Sequence, residues 1–306
     1  MGFCILLVCA FIWGTAFVAQ KTCADHLGPF AITCLRSVIA GLFLLAAVPF
    51  SRKFLYKGAG ASFSARTVKG GAICGIALFL AQLTQQIGIV DTTSGISAFL
   101  TANYIILVPI IAIFAGRKPP LRAFVWALLA LAGTYFICIG SAQTAFSLGR
   151  GESWTLLCAA LFASQILLVD RYAPGTDVIA FSCVQQFTCM LASAPFLALA
   201  TERANISAAN ISAAFGSLMY VGLVSSGIAY TLQNIGQTKC PPALASIVMS
   251  LESAIGALAG YFILGDVLSS RQIAGCAILF SAVVASQVCG LKPQTGDKRE
   301  HDQPDE

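Results

Sequence analysis

The sequence predicts an all-α polytopic membrane protein of ten transmembrane helices, arranged as two inverted five-helix repeats. Three observations carry that prediction. Hydrophobic residues make up 58% of the 306 and charged residues only 10%, with a mean hydropathy of +0.83, against roughly 25% charged in soluble domains. Ten apolar runs each approach the ~20 residues that a bilayer crossing needs. The chain is also written twice: Ala81 to Gly88 reads AQLTQQIG, and Ala229 to Gly236 reads AYTLQNIG. A second echo sets Gly116, Arg117 and Arg122 against Gly265, Asp266 and Arg271. Five spans per copy is an odd number, so the second copy enters the membrane from the opposite side.

Taken in order, the spans are expected at 2 to 21, 29 to 50, 70 to 90, 93 to 114, 121 to 140, 152 to 169, 178 to 200, 212 to 234, 241 to 263 and 270 to 290. The repeats are then 1 to 140 and 151 to 290. The first span holds Trp13, Gly14, Thr15 and, near its outer end, Lys21, which is expected to snorkel to the interface. The third carries Gly71 and Gly75 as GxxxG, a spacing for close helix contact. Pro109 interrupts the fourth, and Pro241 with Pro242 opens the ninth. Trp154 and Tyr56 suit the interfacial belt, and Trp126 faces lipid. Loops 51 to 69 and 201 to 211 are too short for a core of their own. Residues 291 to 306 form a charged, proline-containing tail, read as disordered and cytoplasmic.

Basic residues set the orientation. With the N-terminus inside, most lysines and arginines fall on inner loops, and only Lys21, Arg150, Arg203 and Arg271 mark the outer ends. That asymmetry predicts both termini cytoplasmic. The net charge of +5 answers to anionic lipid and calls for no nucleic acid. No positive region precedes the first apolar run, so a cleaved signal peptide is not expected. The twelve cysteines form no CxxC, and only two histidines are present. No metal or cofactor site is therefore predicted, and the cysteines read as small packing residues.

A charge at mid-depth in hydrocarbon costs at least about 2.5 to 3.5 kcal/mol, so an ionisable residue there is a functional candidate. Arg36 and Glu252 qualify, and at 1.5 Å per residue they fall within about 6 Å of the same depth. Glu252 reads as a proton-coupling or cation-contacting carboxylate, and Arg36 as an anchor for a carboxylate or phosphate. The alternative is a structural ion pair joining two helices. Gln82, Gln85 and Gln86 make one stripe of the third span, and Tyr230, Gln233 and Asn234 repeat it in the eighth. Two matching polar faces suggest a shared cavity, to which Asn103, Tyr104, Gln165, Gln185 and Gln186 add hydrogen-bonding groups. Interhelical bonding is the competing role for each amide taken singly. Ala245, Met249, Glu252, Gly256 and Gly260 fall near one face of the ninth span, a candidate moving seam.

Four segments together resemble the EamA-like transporters of the drug/metabolite transporter superfamily. They are FIWGTAFVAQK in the first span, Pro29 followed by Arg36, TSGISAFLTANYIILVPIIA from Thr93, and LESAIGALAGYFILGD from Leu251. The resemblance spans nearly the whole chain. It implies ten helices in two inverted repeats, cytoplasmic termini, a central cavity, and exchange or proton-coupled movement of small metabolites. Ser253 stands where the family often has proline, Asp266 where glutamate is common, and Arg117 at the equivalent place in the first half. The sequence thus predicts a permease of the bacterial plasma membrane, a monomer or homodimer. It would move a small polar metabolite such as an amino acid, outward by family analogy, with a proton as candidate coupling ion. An intramembrane enzyme or flippase for a lipid-linked substrate is the alternative. Glu252 is the one mid-depth carboxylate and neither histidine lies in a span, so the pair of groups such an enzyme needs is missing.

Overall fold

A computed structural model describes residues 1–54, 62–92, 94–138, 149–259 and 269–288. Among these the chain is helical, with no strand. The helices are α1 (Gly2–Ala24), α2 (Pro29–Phe54), α3 (Ala65–Asp91), α4 (Ser94–Ala102), α5 (Tyr104–Phe114), α6 (Leu121–Cys138), α7 (Arg150–Tyr172) and α8 (Val178–Ser193). After a 3₁₀ turn at Ala194–Ala198 follow α9 (Ala200–Asn205), α10 (Ala208–Met219), a π-helical segment at Tyr220–Ala229, and α11 (Tyr230–Gln237). The chain continues with α12 (Pro242–Met249), α13 (Leu251–Ala259) and α14 (Ser270–Val288).

Eight helical stretches are long and apolar enough to cross a membrane, and two shorter apolar ones lie at Leu121–Ile137 and Pro242–Leu258. These are the places of the expected fifth and ninth spans. The protein is therefore polytopic and integral to a membrane. Tyr56, Gly260, Gly265, Asp266 and the tail from 291 lie outside the described residues.

Local sequence explains the boundaries. Ser64 caps α3 by accepting from the Thr67 amide, Asp177 caps α8 through Ile179 and Ala180, and Ser207 caps α10 through Asn210; each satisfies an amide the first turn leaves free. The start of α2 is capped from a distance: buried Glu202 accepts from the Ala31 amide at 2.9 Å and the Phe30 amide at 3.4 Å. Lys21 does not simply reach water. Its ammonium donates to the Ile89 carbonyl at 2.8 Å and the Val90 carbonyl at 3.1 Å, closing the C-terminus of α3, where cations are favoured. Trp126 is half-buried against the core, so it is only partly available to lipid.

The fourth and ninth spans are each interrupted. At Asn103 α4 gives way to α5, and at Ser250 α12 gives way to α13. In both, the interrupting side chain bonds carbonyls of the preceding turn: Asn103 Nδ2 reaches Phe99 and Leu100 at 3.1 and 3.0 Å, and Ser250 Oγ reaches Ile247 at 2.7 Å. Such bonds satisfy carbonyls that the broken ladder frees.

Packing follows a mirrored scheme. Helix α3 packs on α7 and α8, while α10, the π segment and α11 pack on α1 and the π segment on α2; α4 and α5 pack on α7, while α12 and α13 pack on α1. The α2–α8 and α6–α14 contacts are their own mirror images. Two glycine contacts repeat the same relation. A Cβ on Gly151 would sit 2.9 Å from the Gly88 carbonyl oxygen, and one on Gly2 would sit 3.1 Å from that of Gly236. Only the missing side chains allow helices this close.

Candidate functional site

At the centre of the bundle lies a cavity lined by residues from both halves of the chain. One wall comes from α1, where Trp13, Phe17 and Gln20 sit at i, i+4 and i+7, one face of a helix. Helix α7 adds Phe162 and Ile166, and Met249 comes from α12. The polar lining is Gln85 from α3, Thr101 from α4, Tyr104 from α5, Ser225 from the π segment, and Tyr230 and Gln233 from α11. Arg36 of α2 and Glu252 of α13 supply the ionisable groups.

The two ionisable groups face the same space without pairing. Arg36, only 2% exposed, donates from Nε to Ser226 Oγ at 2.7 Å, from Nη2 to Ser225 Oγ at 3.4 Å, and from Nη1 to Gln20 Oε1 at 3.4 Å. All three acceptors are neutral. A guanidinium has five N–H groups in a planar fork, so two remain, and the two 3.4 Å bonds are weak enough to exchange. Glu252, 4% exposed, accepts from the Tyr104 hydroxyl at 3.2 Å. Its backbone packs against α1: a Cβ on Gly14 would lie 2.6 Å from the Glu252 carbonyl oxygen. No ion pair joins Arg36 to an acid among the described residues.

Both poles owe their place to the interrupted spans and the π segment. Tyr104 and Glu252 follow the breaks at Asn103 and Ser250 within two residues, so a change of direction presents them to the cavity. Trp13 packs against Tyr230 with the rings tilted and their centroids 4.8 Å apart, and it donates from Nε1 to the Ser225 carbonyl at 3.3 Å. The wall of α1 is thus tied to the π segment.

Of the residues the sequence singles out, Arg36, Gln85, Tyr104, Tyr230, Gln233 and Glu252 line the cavity. The other four do not. Gln82 is fully buried, and its Oε1 accepts from the Cys189 thiol at 3.6 Å. Gln86 donates to the Gln20 carbonyl at 3.3 Å. Asn103 turns back on its own helix, and Asn234 donates to Ser182 and Gln185 of α8 at 2.8 and 2.9 Å. Each of these amides joins helices or seals a break. Gln165 accepts from Gln233 at 3.2 Å, and Gln186 donates to the Ser226 carbonyl at 3.0 Å.

Sequence reasoning passed over Gln20, Thr101 and Ser225, together with Phe17, Phe162 and Ile166. The Trp13, Phe17, Gln20 spacing was the available signal for the α1 wall. The small residues Ser225, Ser226 and Gly227 in an otherwise apolar run were the signal for the π segment. Asp170 and Asp91, at span ends, pair with Arg117 at 2.6 Å and with exposed Arg150 at 3.7 Å. Among the described residues no cluster suits a metal ion, and no disulfide forms.

Apolar spans folded around a cavity that holds a buried arginine and a buried glutamate place the chain in the class of polytopic membrane permeases, and known proteins give the same answer. The EamA-like transporter family matches residues 1–139 and 149–286, and the chain belongs to that family. It is 28% identical over 280 residues to an uncharacterized transporter of Archaeoglobus fulgidus, covering 91% of this chain and 83% of that one. It is 26% identical over 190 residues to the threonine/homoserine exporter RhtA of Salmonella typhimurium, covering 60% of each. A protein of known crystal structure superposes with a TM-score of 0.75 over 94% of this chain and 96% of that one; at 18% identity that likeness shows the fold.

Proposed function

We propose that the protein is a secondary transporter that moves a small zwitterionic metabolite, an amino acid or a close relative, by alternating access. Arg36 takes the carboxylate, Glu252 the ammonium group, and Gln85 with Gln233 the remaining polar atoms. The single observation behind this reading is that a buried base and a buried acid line one cavity while each is held by neutral partners. An unpaired charge in low dielectric is costly, so a ligand carrying both opposite charges gains more here than in water. Trp13, Phe17, Phe162, Ile166 and Met249 would receive an apolar side chain.

We further propose ten spans in two inverted repeats, 1 to 140 and 151 to 290, with both termini cytoplasmic in a bacterial plasma membrane. The mirrored helix contacts support the repeat. Contacts at the helix ends support the alternation: Lys239 with Met1, Arg117 with Asp170, Lys21 with Val90 and Glu202 with Ala31 each join residues assigned to one side. Export is the direction suggested by the name of the relative RhtA. A proton is the coupling ion that a lone cavity carboxylate suits.

Reconstituted into sealed vesicles preloaded with a candidate amino acid, the protein should show saturable counterflow of the labelled form. Flux linear in concentration and not stimulated from the far side would make it a channel. No flux of any of the twenty amino acids would remove the substrate reading.

A further inference from the structure

Arg36 sits where a transporter faces a conflict. A carboxylate anchor must be charged and buried, yet an acid held against it would compete with the substrate, and a guanidinium left bare would be too costly to bury. The π segment resolves this. It brings two adjacent hydroxyls, Ser225 and Ser226, onto one guanidinium at 3.4 and 2.7 Å, with Gln20 of α1 on the third nitrogen. In an α-helix neighbouring side chains diverge by about 100°. The i→i+5 bonding of a π turn rotates them less, so consecutive serines can share one target.

The segment is held in that form from several sides. Trp13 donates to the Ser225 carbonyl, Gln186 to the Ser226 carbonyl, and the Cys9 thiol to the Ala229 carbonyl at 3.3 Å. Gly222 lets α2 come near enough for the contact: a Cβ there would lie 2.8 Å from that of Ile39, one turn from Arg36. The corresponding stretch of the first half, inside α3, is an ordinary α-helix, and the residue 149 positions after Arg36 is the neutral Gln185. The device therefore belongs to one half only.

We propose that Ser225 and Ser226 are positioning residues that cradle Arg36 in neutral oxygens, making the cavity selective for substrates that bear a carboxylate. This rests on the reading of Arg36 as the substrate anchor. An incoming carboxylate displaces the two long bonds, to Ser225 and Gln20, while the short Nε bond to Ser226 keeps the fork aimed. No salt bridge has to break, and when the carboxylate leaves, the hydroxyls return.

The test uses the purified full-length protein and compares two ligands. One is whichever of the twenty L-amino acids raises the wild-type melting temperature most; the other is the amine left by its decarboxylation. Ser226→Ala should weaken the amino acid about tenfold, the loss of one hydrogen bond to a charged group, and leave the amine within about twofold. Ser226→Asp should abolish amino-acid binding and spare the amine, because the new acid occupies the fork. If that variant does not fold, Ser225→Ala with Ser226→Ala takes its place, with a larger loss expected for the amino acid alone. Equal weakening of both ligands, or of neither, overturns the proposal while the wild-type response upholds the substrate reading. A wild type that responds to no amino acid overturns both.

Discussion

Helix α3 and its counterpart 148 residues later carry related amide stripes on different backbones. Helix α3 runs unbroken from Ala65 to Asp91, while the counterpart passes from α10 through the π segment into α11. Where the two agree, at Gln85 and Gln233, both side chains line the cavity. Where they differ, the charges are found: the π segment contacts Arg36, which has neutral Gln185 as its equivalent. Glu252 lies 148 residues from Tyr104, the group that hydrogen-bonds it. On the proposed two-repeat reading, the matching stripes build the chamber and departures from the match supply the poles. A chamber with two identical halves would place like groups opposite one another and suit no zwitterion.

The largest break in that comparison should come from Arg36→Met. Removing the cationic pole is expected to lower affinity for an amino acid by at least about a hundredfold, near 3 kcal/mol for a buried charge-assisted contact, in an equilibrium binding assay. Glu252→Gln keeps the shape and the Tyr104 contact but removes the anionic pole. Loss of about tenfold or more for the zwitterion, with binding of the corresponding des-amino acid little changed, is expected in the same assay. Gly222→Ala drives a methyl toward Ile39 and separates α2 from the π segment. Overpacking of this kind costs about 1 to 3 kcal/mol, read as a lower melting temperature without ligand.

Gln85→Ala and Gln233→Ala sharpen the symmetric side of the comparison. Each removes one neutral hydrogen-bonding group and should cost about three- to tenfold in affinity, the two agreeing within about threefold. A large effect at one and none at the other would mean the chamber is not shared evenly. The smallest effect belongs to Lys21→Met, which uncaps α3 at its exposed end for about 0.3 to 1 kcal/mol in thermal stability, with binding unchanged.

Much of this architecture was legible in the chain because hydrocarbon is an unforgiving solvent. Apolar run length marked the eight helical stretches long enough to cross a membrane, as at Ser270–Val288 against 270 to 290. Rarity of charge at depth singled out Arg36 and Glu252. What depth could not supply was azimuth. The two were expected at one level, where an ion pair was an open alternative, but their directions around the helix axes turn each to neutral neighbours. The structure divides the two polar stripes: Gln82, Gln86 and Asn234 bond other helices, while Gln85, Gln233 and Tyr230 line the cavity. The π segment escaped because every periodicity argument assumes 3.6 residues per turn. Gln20 escaped because it adjoins Lys21, whose charge drew attention to the interface, although its carboxamide points inward.

The most direct test of the central claim is competition for counterflow in wild-type proteoliposomes. An amino acid would be set against its des-carboxy and des-amino analogues. Two unpaired poles in one chamber predict that only the zwitterion competes well, with each singly charged analogue weaker by about tenfold or more. If either analogue competes as strongly as the amino acid, one pole makes no contact with substrate, and the account of a chamber charged by its asymmetry is wrong.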